Sequence, residues 1–214
     1  MTIGIGPGCN TRIARLFHAL WHGECIARDA AAWQARICSE PKALRFFALQ
    51  AAQETLHATL FGAAVSVLAP RTSALETPTL GALDRYRKRL EDDLEAGRFA
   101  GSVVGLQIVL EGLGALTLAR MNLALSGHGA RFAPCKRLLE RQEDTHHAFG
   151  CRWLERQRIE SAPTLAADAR EYFELACDVI DRSEDLFGYG ISTPENYRAQ
   201  LRAALPAMLT RGWR

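Results

Sequence analysis

Apolar side chains recur at intervals of three and four residues along most of the chain, a spacing that predicts long amphipathic helices. The first helix is predicted from a cap at Asn10 or Thr11 to about Ile37. The segment Ser39-Glu40-Pro41 then combines a polar cap with an early proline, which predicts a second helix to about Leu68. Each helix would be roughly 40 Å long, and the short join between them predicts antiparallel neighbours.

The rest of the chain alternates turn-rich joins with further helical patterns. A long connection from about 69 to 101 contains a predicted helix from Leu80 to Ala96. A crossover of this length lets the next bundle helix run in a direction that a tight turn cannot give. The other predicted helices span about 102–125, 133–157, 165–187 and 194–209, with turns at 126–129 and 188–190 and an irregular start at residues 1–9.

These elements predict an all-α fold. Residues 11–157 would form a four-helix bundle with a long crossover that itself contains a helix, and extra helices at about 163–209 would pack outside it. The chain has 214 residues, of which 48% are hydrophobic, and this suits one domain spanning residues 1–214 around one core.

Carboxylates interrupt the apolar faces of the four bundle helices in a repeated order. Glu24 is followed 30 residues later by Glu54 and His57, which form a Glu-x-x-His motif. Glu111 lies in the otherwise uncharged run 103–116 and is followed 32 residues later by a second such motif, Glu143 and His146. Because residues three apart share one helix face, each motif presents a carboxylate and an imidazole to the same interior point.

This order predicts a site for two adjacent metal ions inside the bundle. The predicted ligands are Glu24, Glu54, His57, Glu111, Glu143 and His146. Carboxylate oxygen together with imidazole nitrogen suits iron, and also manganese, better than a site built from thiolates. Four negative charges largely offset two divalent ions, whereas the same carboxylates buried without metal would repel one another.

Several histidines compete for a place in the predicted site. His147 is an alternative to His146, but the spacing of the first motif favours His146. His18 and His22 lie on the first helix near Glu24 and are interpreted as surface residues or as residues that support the ligands from outside.

Two further features leave alternatives open. Asp144 follows a predicted ligand and either orients an imidazole or lies on the surface. Glycines are costly inside a helix, so those of the third bundle helix indicate either a distorted turn or open space beside the metals, or else close helix packing. These glycines are Gly105, Gly112 and Gly114.

Composition narrows the setting. The net charge of +2 is too small to indicate binding to nucleic acid or to a membrane surface. Six cysteines occur without a Cys-x-x-Cys pair, and no uncharged run is long enough to span a bilayer. We therefore expect reduced thiols and a cytoplasmic protein that associates with neither nucleic acid nor membrane.

The six predicted ligands make the chain resemble the ferritin-like di-iron carboxylate superfamily over roughly residues 12–157. The segment around Glu143, His146, Phe149 and Gly150 is similar to the Glu-x-x-His-x-x-Phe-Gly of its oxygen-activating branch. Size and the long crossover are similar to those of the bacterial aldehyde-deformylating oxygenases and the tRNA-modifying hydroxylases. Storage ferritins usually lack the second histidine, and rubrerythrins add a Cys-rich iron module that is missing here.

The resemblance implies an oxygenase or oxidase that activates O2 at a centre of two irons, or of manganese and iron, to oxidise a small or lipid-like organic substrate. Electrons would come from a separate ferredoxin or flavin reductase, because the chain has no flavin or iron–sulfur motif. Expected pocket residues are Phe61, Leu106, Val109, Leu110 and Leu113. The alternatives are an iron-oxidising storage or detoxification protein and a tRNA hydroxylase. A monomer or homodimer would favour the enzyme, and a many-subunit shell would favour storage.

Overall fold

The computed structural model is all-α in the part of the chain that it describes, which comprises residues 7–68, 77–125, 133–156, 162–183, 193–211 and 213. Its elements are α1 (Pro7–Ile37), α2 (Pro41–Leu68), α3 (Pro78–Glu95), α4 (Phe99–Val103), a π-helical segment (Val104–Leu110), α5 (Glu111–Leu125), α6 (Ala133–Arg156), α7 (Ala162–Arg182), α8 (Pro194–Ala204) and α9 (Ala207–Thr210). The all-α prediction is thus confirmed. The predicted turns at 126–129 and 188–190 lie outside the described residues.

Two of the differences between the predicted and the observed helix boundaries occur at prolines. The first helix begins at Pro7, so residues 7–9 are helical, because proline fits the first turn, where its missing N–H is not needed. The last predicted helix is broken at Leu205, whose ψ of 142° is extended. Pro206 follows and disfavours helical backbone in the residue before it, which divides the segment into α8 and α9.

Four long helices pack together as a bundle. They are α1, α2, α6 and the continuous helix formed by α4, the π-helical segment and α5. Helices α1 and α2 contact each other along their lengths, while α6 packs against the π-helical segment and α5, and α2 meets α6. Helix α3 is the crossover and packs on α1 and α7. Helix α7 also contacts the π-helical segment, so the C-terminal helices cover one face of the bundle.

The helix that runs through α4, the π-helical segment and α5 is the centre of the core. The stretch Phe99–Arg120 is long and apolar enough to cross a membrane by length and composition, yet 78% of the tested window is buried inside the protein. Its side chains share the main core cluster with Tyr172 and Leu201 from the C-terminal helices. The apolar character of this helix is therefore accounted for by burial against its neighbours.

A tight turn joins the crossover helix to the central helix. Gly97 adopts a φ of 70° at the end of α3, and the backbone N–H of Arg98 bonds to the carbonyl of Asp93 at 2.8 Å. This is the Schellman geometry, which needs a residue that tolerates left-handed backbone. The Asp93 carboxylate is fully buried and accepts hydrogen bonds from Arg98 at 2.7 Å and from the Tyr172 hydroxyl at 2.9 Å. These bonds tie the crossover to α7.

Gly105 lets the central helix approach α7 closely. A Cβ atom built there would lie 2.4 Å from Cζ of Tyr172, a fully buried side chain. Gly105 also accepts a hydrogen bond through its carbonyl from Tyr86 at 2.7 Å. Both alternatives left open for this glycine therefore hold, because it permits close packing and lies in a distorted, π-helical turn.

We expect Gly105→Ala to lower the free energy of unfolding by about 1–3 kcal/mol, because the added methyl group overlaps the Tyr172 ring. Denaturant unfolding of the metal-free protein measures this. Gly81→Ala is the matched control, since Gly81 is exposed on α3 and its added Cβ would meet only an Arg85 nitrogen at 3.8 Å. That control should be neutral or stabilising by up to about 1 kcal/mol. Equal effects of the two substitutions would contradict the packing argument.

Candidate metal centre

The four bundle helices bring all six predicted ligands to one place in the core. Glu24 comes from the middle of α1, and Glu54 and His57 come from one face of α2. Glu111 is the first residue after the π-helical segment, and Glu143 and His146 lie on α6. All are buried except Glu24, whose side chain retains 11% exposure.

One group of ligand atoms surrounds the imidazole of His57. Its Nδ1 atom lies 2.8 Å from Glu54 Oε2, 3.3 Å from Glu24 Oε2 and 3.3 Å from Glu143 Oε1. The four side chains offer ligand atoms that all lie within 4.8 Å of one another. This group could hold a metal ion.

A second group surrounds the imidazole of His146. Its Nδ1 atom lies 2.9 Å from Glu54 Oε1 and 3.4 Å from Glu111 Oε2. These ligand atoms also lie within 4.8 Å of one another. The two groups share Glu54, which directs one carboxylate oxygen to each histidine. A carboxylate in this position could bridge two ions.

The spacing of these atoms fits joint coordination of a cation. Two ligand atoms held about 2.1 Å from one ion at a right angle are about 3.0 Å apart, and the contacts around both histidines lie near this value. Among the described residues, Glu54 Oε1, Glu54 Oε2 and Glu143 Oε1 are buried without a hydrogen-bond partner. Leaving carboxylate oxygens in this state is costly unless a cation satisfies them.

The charges in the cluster also call for a cation. Burial raises the pKa of Glu24 and Glu111, and the nearby carboxylate of Glu143 raises both further. Burial would lower the pKa of His57, but the adjacent carboxylates of Glu143, Glu24 and Glu54 outweigh it and raise the pKa. In the described part of the chain, the two histidines are the ion-pair partners of these carboxylates. A proton on His57 thus supplies positive charge at the centre when no metal is bound.

Two glutamines hold the imidazoles in the orientation that metal binding requires. His57 Nε2 donates to Gln142 Oε1 at 2.8 Å, and His146 Nε2 donates to Gln53 Oε1 at 2.8 Å. Gln142 directly precedes Glu143 of the second motif, and Gln53 directly precedes Glu54 of the first. Each of the two helices therefore supplies the hydrogen bond that orients the histidine of the other. Because an amide oxygen only accepts, Nε2 keeps its proton in the neutral imidazole, and Nδ1 can then serve as the ligand atom.

A buried chain of amides holds Glu111 from the other side. Gln50 Nε2 donates to Glu111 Oε1 at 2.6 Å, and Gln107 Nε2 donates to Gln50 Oε1 at 2.9 Å. Gln107 also exchanges hydrogen bonds with Gln34, whose amide reaches the Ser102 hydroxyl at 3.1 Å. All three glutamines are fully buried. The π-helical segment supplies Gln107 and ends where Glu111 begins, so the distorted turn lies directly beside the centre.

These five glutamines were not among the site residues predicted from the sequence. The repeated Gln-Glu-x-x-His pattern was the available signal for Gln53 and Gln142. The remaining three had no comparable signal, because a single amide within an apolar run does not reveal which neighbour it meets. Those three residues are Gln34, Gln50 and Gln107.

The other candidate residues lie outside the cluster. His147 stands beside the Cys151 sulfur at 3.9 Å, and burial lowers its pKa. His22 Nε2 pairs with Asp84 on α3 at 2.8 Å, while the His18 ring stacks on Trp21. Asp144 is exposed, so the structure places it on the surface. None of the cysteines that the structure describes belongs to either ligand group.

An apolar cavity of about 80 Å³ adjoins the cluster and reaches Glu24, Glu111 and Glu143. Two of the five expected pocket residues, Leu110 and Leu113, line it. Phe61 packs instead in a separate core cluster, 5.8 Å from the Phe17 ring. Leu106 and Val109 belong to the main core and do not line the cavity. A helix presents different faces at neighbouring positions, so proximity to Glu111 in sequence does not separate side chains that line the cavity from those packed in the core.

No family model matches the chain, and no curated protein and no solved structure matches it. The interpretation of the centre therefore depends on the residues themselves.

We expect Glu54→Gln to reduce Fe(II) binding from two ions per chain to at most one, because Glu54 is common to both ligand groups and an amide is a poorer ligand than a carboxylate. Anaerobic equilibrium dialysis with iron analysis measures the stoichiometry. Asp144→Asn is the matched control, since this carboxylate is exposed and next to Glu143, and it should retain two ions. Two ions bound by Glu54→Gln would contradict the shared-ligand arrangement.

We expect Gln142→Ala to weaken metal binding by about 10- to 100-fold, because the His57 imidazole loses the acceptor that fixes its tautomer. Gln142→Glu keeps an acceptor oxygen and should restore binding to within a few-fold of the parent. Competition with a chelator of known affinity gives both values. If the alanine and glutamate variants bind equally, the hydrogen bond does not orient the ligand.

Proposed function

We propose that the protein is a di-iron oxygenase or oxidase of the ferritin-like type, acting on a small or lipid-like organic substrate. The observation that carries the proposal is the pair of ligand groups that share Glu54. Two ions in a buried carboxylate-and-imidazole set are typical of four-helix bundles that carry di-iron or di-manganese centres.

The ligand types favour iron, with a manganese–iron pair as the alternative. The charge of four glutamates balances the charge of two divalent ions. The ligand atoms are carboxylate oxygens and imidazole nitrogens, and none of them is sulfur. Two iron ions held here would supply reductive activation of O2. The electrons would come from a separate ferredoxin or flavin reductase.

The residues of the chain hold and protect this centre. Glu54 directs one carboxylate oxygen to each ligand group. Gln53 and Gln142 hold the histidine rings so that their Nδ1 atoms face Glu54. The amide chain from Gln50 fixes one oxygen of Glu111 and leaves the other directed toward His146. Apolar side chains line the adjoining cavity, which limits the water near the centre and provides a place for an organic molecule.

Iron storage or detoxification is the second candidate, because the same ligands could oxidise Fe(II). The cavity favours the enzyme, since an apolar chamber beside the ligands is of no use for moving hydrated iron. The net charge of +2 gives little support to a tRNA substrate.

The test is anaerobic titration of the metal-free protein with Fe(II), followed by exposure to O2 and optical detection. We expect saturation near two irons per chain, a transient optical change after O2, and a monomer or homodimer by light scattering. Continued uptake of iron well beyond two per chain, in a many-subunit shell, would favour storage. Failure to bind iron would refute the di-iron proposal. The Asp144→Asn variant, prepared and titrated in the same way, controls for effects of protein preparation.

A further inference from the structure

The outer side of α2 and α6 is a surface that the rest of the fold leaves open. Helices α3, α7 and α8 pack on α1 and on the central helix, which lie across the bundle from α2 and α6. In the part of the chain that the structure describes, the solvent-facing side chains of α2 and α6 around Gln53 and Gln142 therefore have no covering helix. These side chains are termed the α2–α6 face.

The middle of the α2–α6 face is apolar. Leu49 and Leu56 lie seven residues apart on one side of α2 and are 56% and 46% exposed, and Leu138 of α6 is 49% exposed. Each of them lies three or four residues from a side chain that contacts the opposite helix, namely Phe46, Gln53 or Gln142. Over residues 46–68 of α2 the only ionisable side chains are the two buried ligands. Large apolar side chains grouped on a surface in this way mark an interaction site.

Exposed basic side chains border this apolar middle. Lys42 and Arg45 are the exposed charged residues of α2. On α6, Arg141 is exposed beside Gln142, and exposed Arg152 follows Phe149, which stacks on Phe46 of α2, by three residues. The described acids of α6 share the side of that helix that is turned away from α2, at intervals of three and four residues with His147 and Cys151. These acids are Glu140, Asp144 and Glu155.

The basic side chains of this face also differ from those elsewhere in being unpaired. Among the described residues, no lysine or arginine of α2 or α6 forms a salt bridge. On α3 and α7, by contrast, Lys88 pairs with Asp92 and Arg170 pairs with Glu174. The α2–α6 face therefore presents positive charge that no carboxylate of the chain neutralises, and it is complementary to an acidic protein surface.

The metal centre lies closest to solvent at this face. Gln53 and Gln142 are partly exposed, and each bonds to Nε2 of a ligand histidine at 2.8 Å. One amide side chain thus separates solvent from each imidazole. On the other side of the bundle, α3 and α7 add a further layer of helices over the centre.

We propose that the α2–α6 face docks a small acidic protein that carries electrons one at a time, of the ferredoxin class. The inference rests on the proposed function, because it gives the electrons which that function requires a point of entry. Carboxylates of the partner would pair with the basic side chains, and its apolar contact would meet Leu49 and Leu56. Such an interface is small, since electron-transfer complexes bury less than about 1,200 Å².

Electrons would reach the centre by way of Gln53 or Gln142 and the histidine that it holds. Each encounter transfers one electron from the reduced iron–sulfur cluster of the partner, so two encounters return two ferric ions to the ferrous state and leave two partner molecules oxidised. A second copy of the chain is a poorer occupant, because a symmetric pair would bring the same basic face against itself.

The experiment measures binding of an acidic [2Fe–2S] ferredoxin to the full chain by calorimetry at low ionic strength, with a basic cytochrome c as the probe of opposite charge. We expect ferredoxin to bind, cytochrome c not to bind, and added salt to weaken the ferredoxin complex at least about tenfold. No ferredoxin binding, or equal binding of the two probes, would overturn the proposal. Vesicles of anionic phospholipid that bind in place of ferredoxin would also overturn it and would indicate a membrane surface.

The test variant combines Arg45→Glu with Arg141→Glu. It should weaken ferredoxin binding at least about tenfold and slow the reduction of the oxidised centre by reduced ferredoxin, while two irons and the unfolding temperature are retained. The control combines Lys88→Glu with Arg170→Glu, which makes the same change in net charge on exposed positions of α3 and α7. Equal loss of binding in the two variants would overturn the location of the docking site.

Leu56→Asp tests the apolar middle of the face and the competing occupant together. We expect it to weaken ferredoxin binding about tenfold without changing the mass of the protein by light scattering. A parent dimer that this substitution converts to a monomer would show that a second copy covers the face, and the proposal would fail.

The proposed function and the docking surface can fail separately. Ferredoxin binding is measured on the metal-free chain as well as on the chain loaded anaerobically with Fe(II), because docking does not require the metals. A chain that docks ferredoxin on the α2–α6 face but takes up no iron would refute the proposed function alone. A chain that takes up two irons but binds no ferredoxin would refute this inference alone.

Discussion

The burial of four carboxylates in an apolar core is the constraint on which the rest of this structure depends. Burial, and then the repulsion of neighbouring carboxylates, raises the pKa of Glu24 and Glu111, because like charges this close cannot all remain ionised without positive charge among them. A proton on His57, whose pKa is raised by the carboxylates around it, offsets part of the negative charge, and two divalent ions would offset it fully. Metal binding therefore accounts for six polar side chains whose burial costs free energy, at interior positions that apolar side chains usually occupy.

Holding such a cluster requires more than the ligands. The two imidazoles are fixed by reciprocal hydrogen bonds to Gln53 and Gln142, and Glu111 is fixed by a chain of three buried glutamines. Amides suit this role because they orient a charged neighbour without adding charge of their own. Each of these three glutamines has a hydrogen-bond partner. A buried polar network stabilises a single arrangement only when its members are satisfied in this way.

The outer helices also contribute to the site. The crossover helix is tied to α7 through buried Asp93, and Gly105 lets Tyr172 of α7 pack directly on the central helix. The end of α7 then forms part of the wall of the cavity beside the ligands. Elements far apart in sequence thus pack together to form a cavity that has an apolar wall and reaches the carboxylates.

The sequence by itself determined the helical class, the bounds of α2, and the six residues that meet in the core. The reason is local: a 3.6-residue period, a proline at a helix start and a Glu-x-x-His spacing each act within a few turns. It also singled out His146 over His147, and only His146 lies in a ligand group. The tertiary structure alone decided the sharing of Glu54, the partners of the glutamines and the lining of the cavity. Those features depend on the rotation of each helix about its axis and on contacts between distant segments, neither of which a periodic pattern specifies.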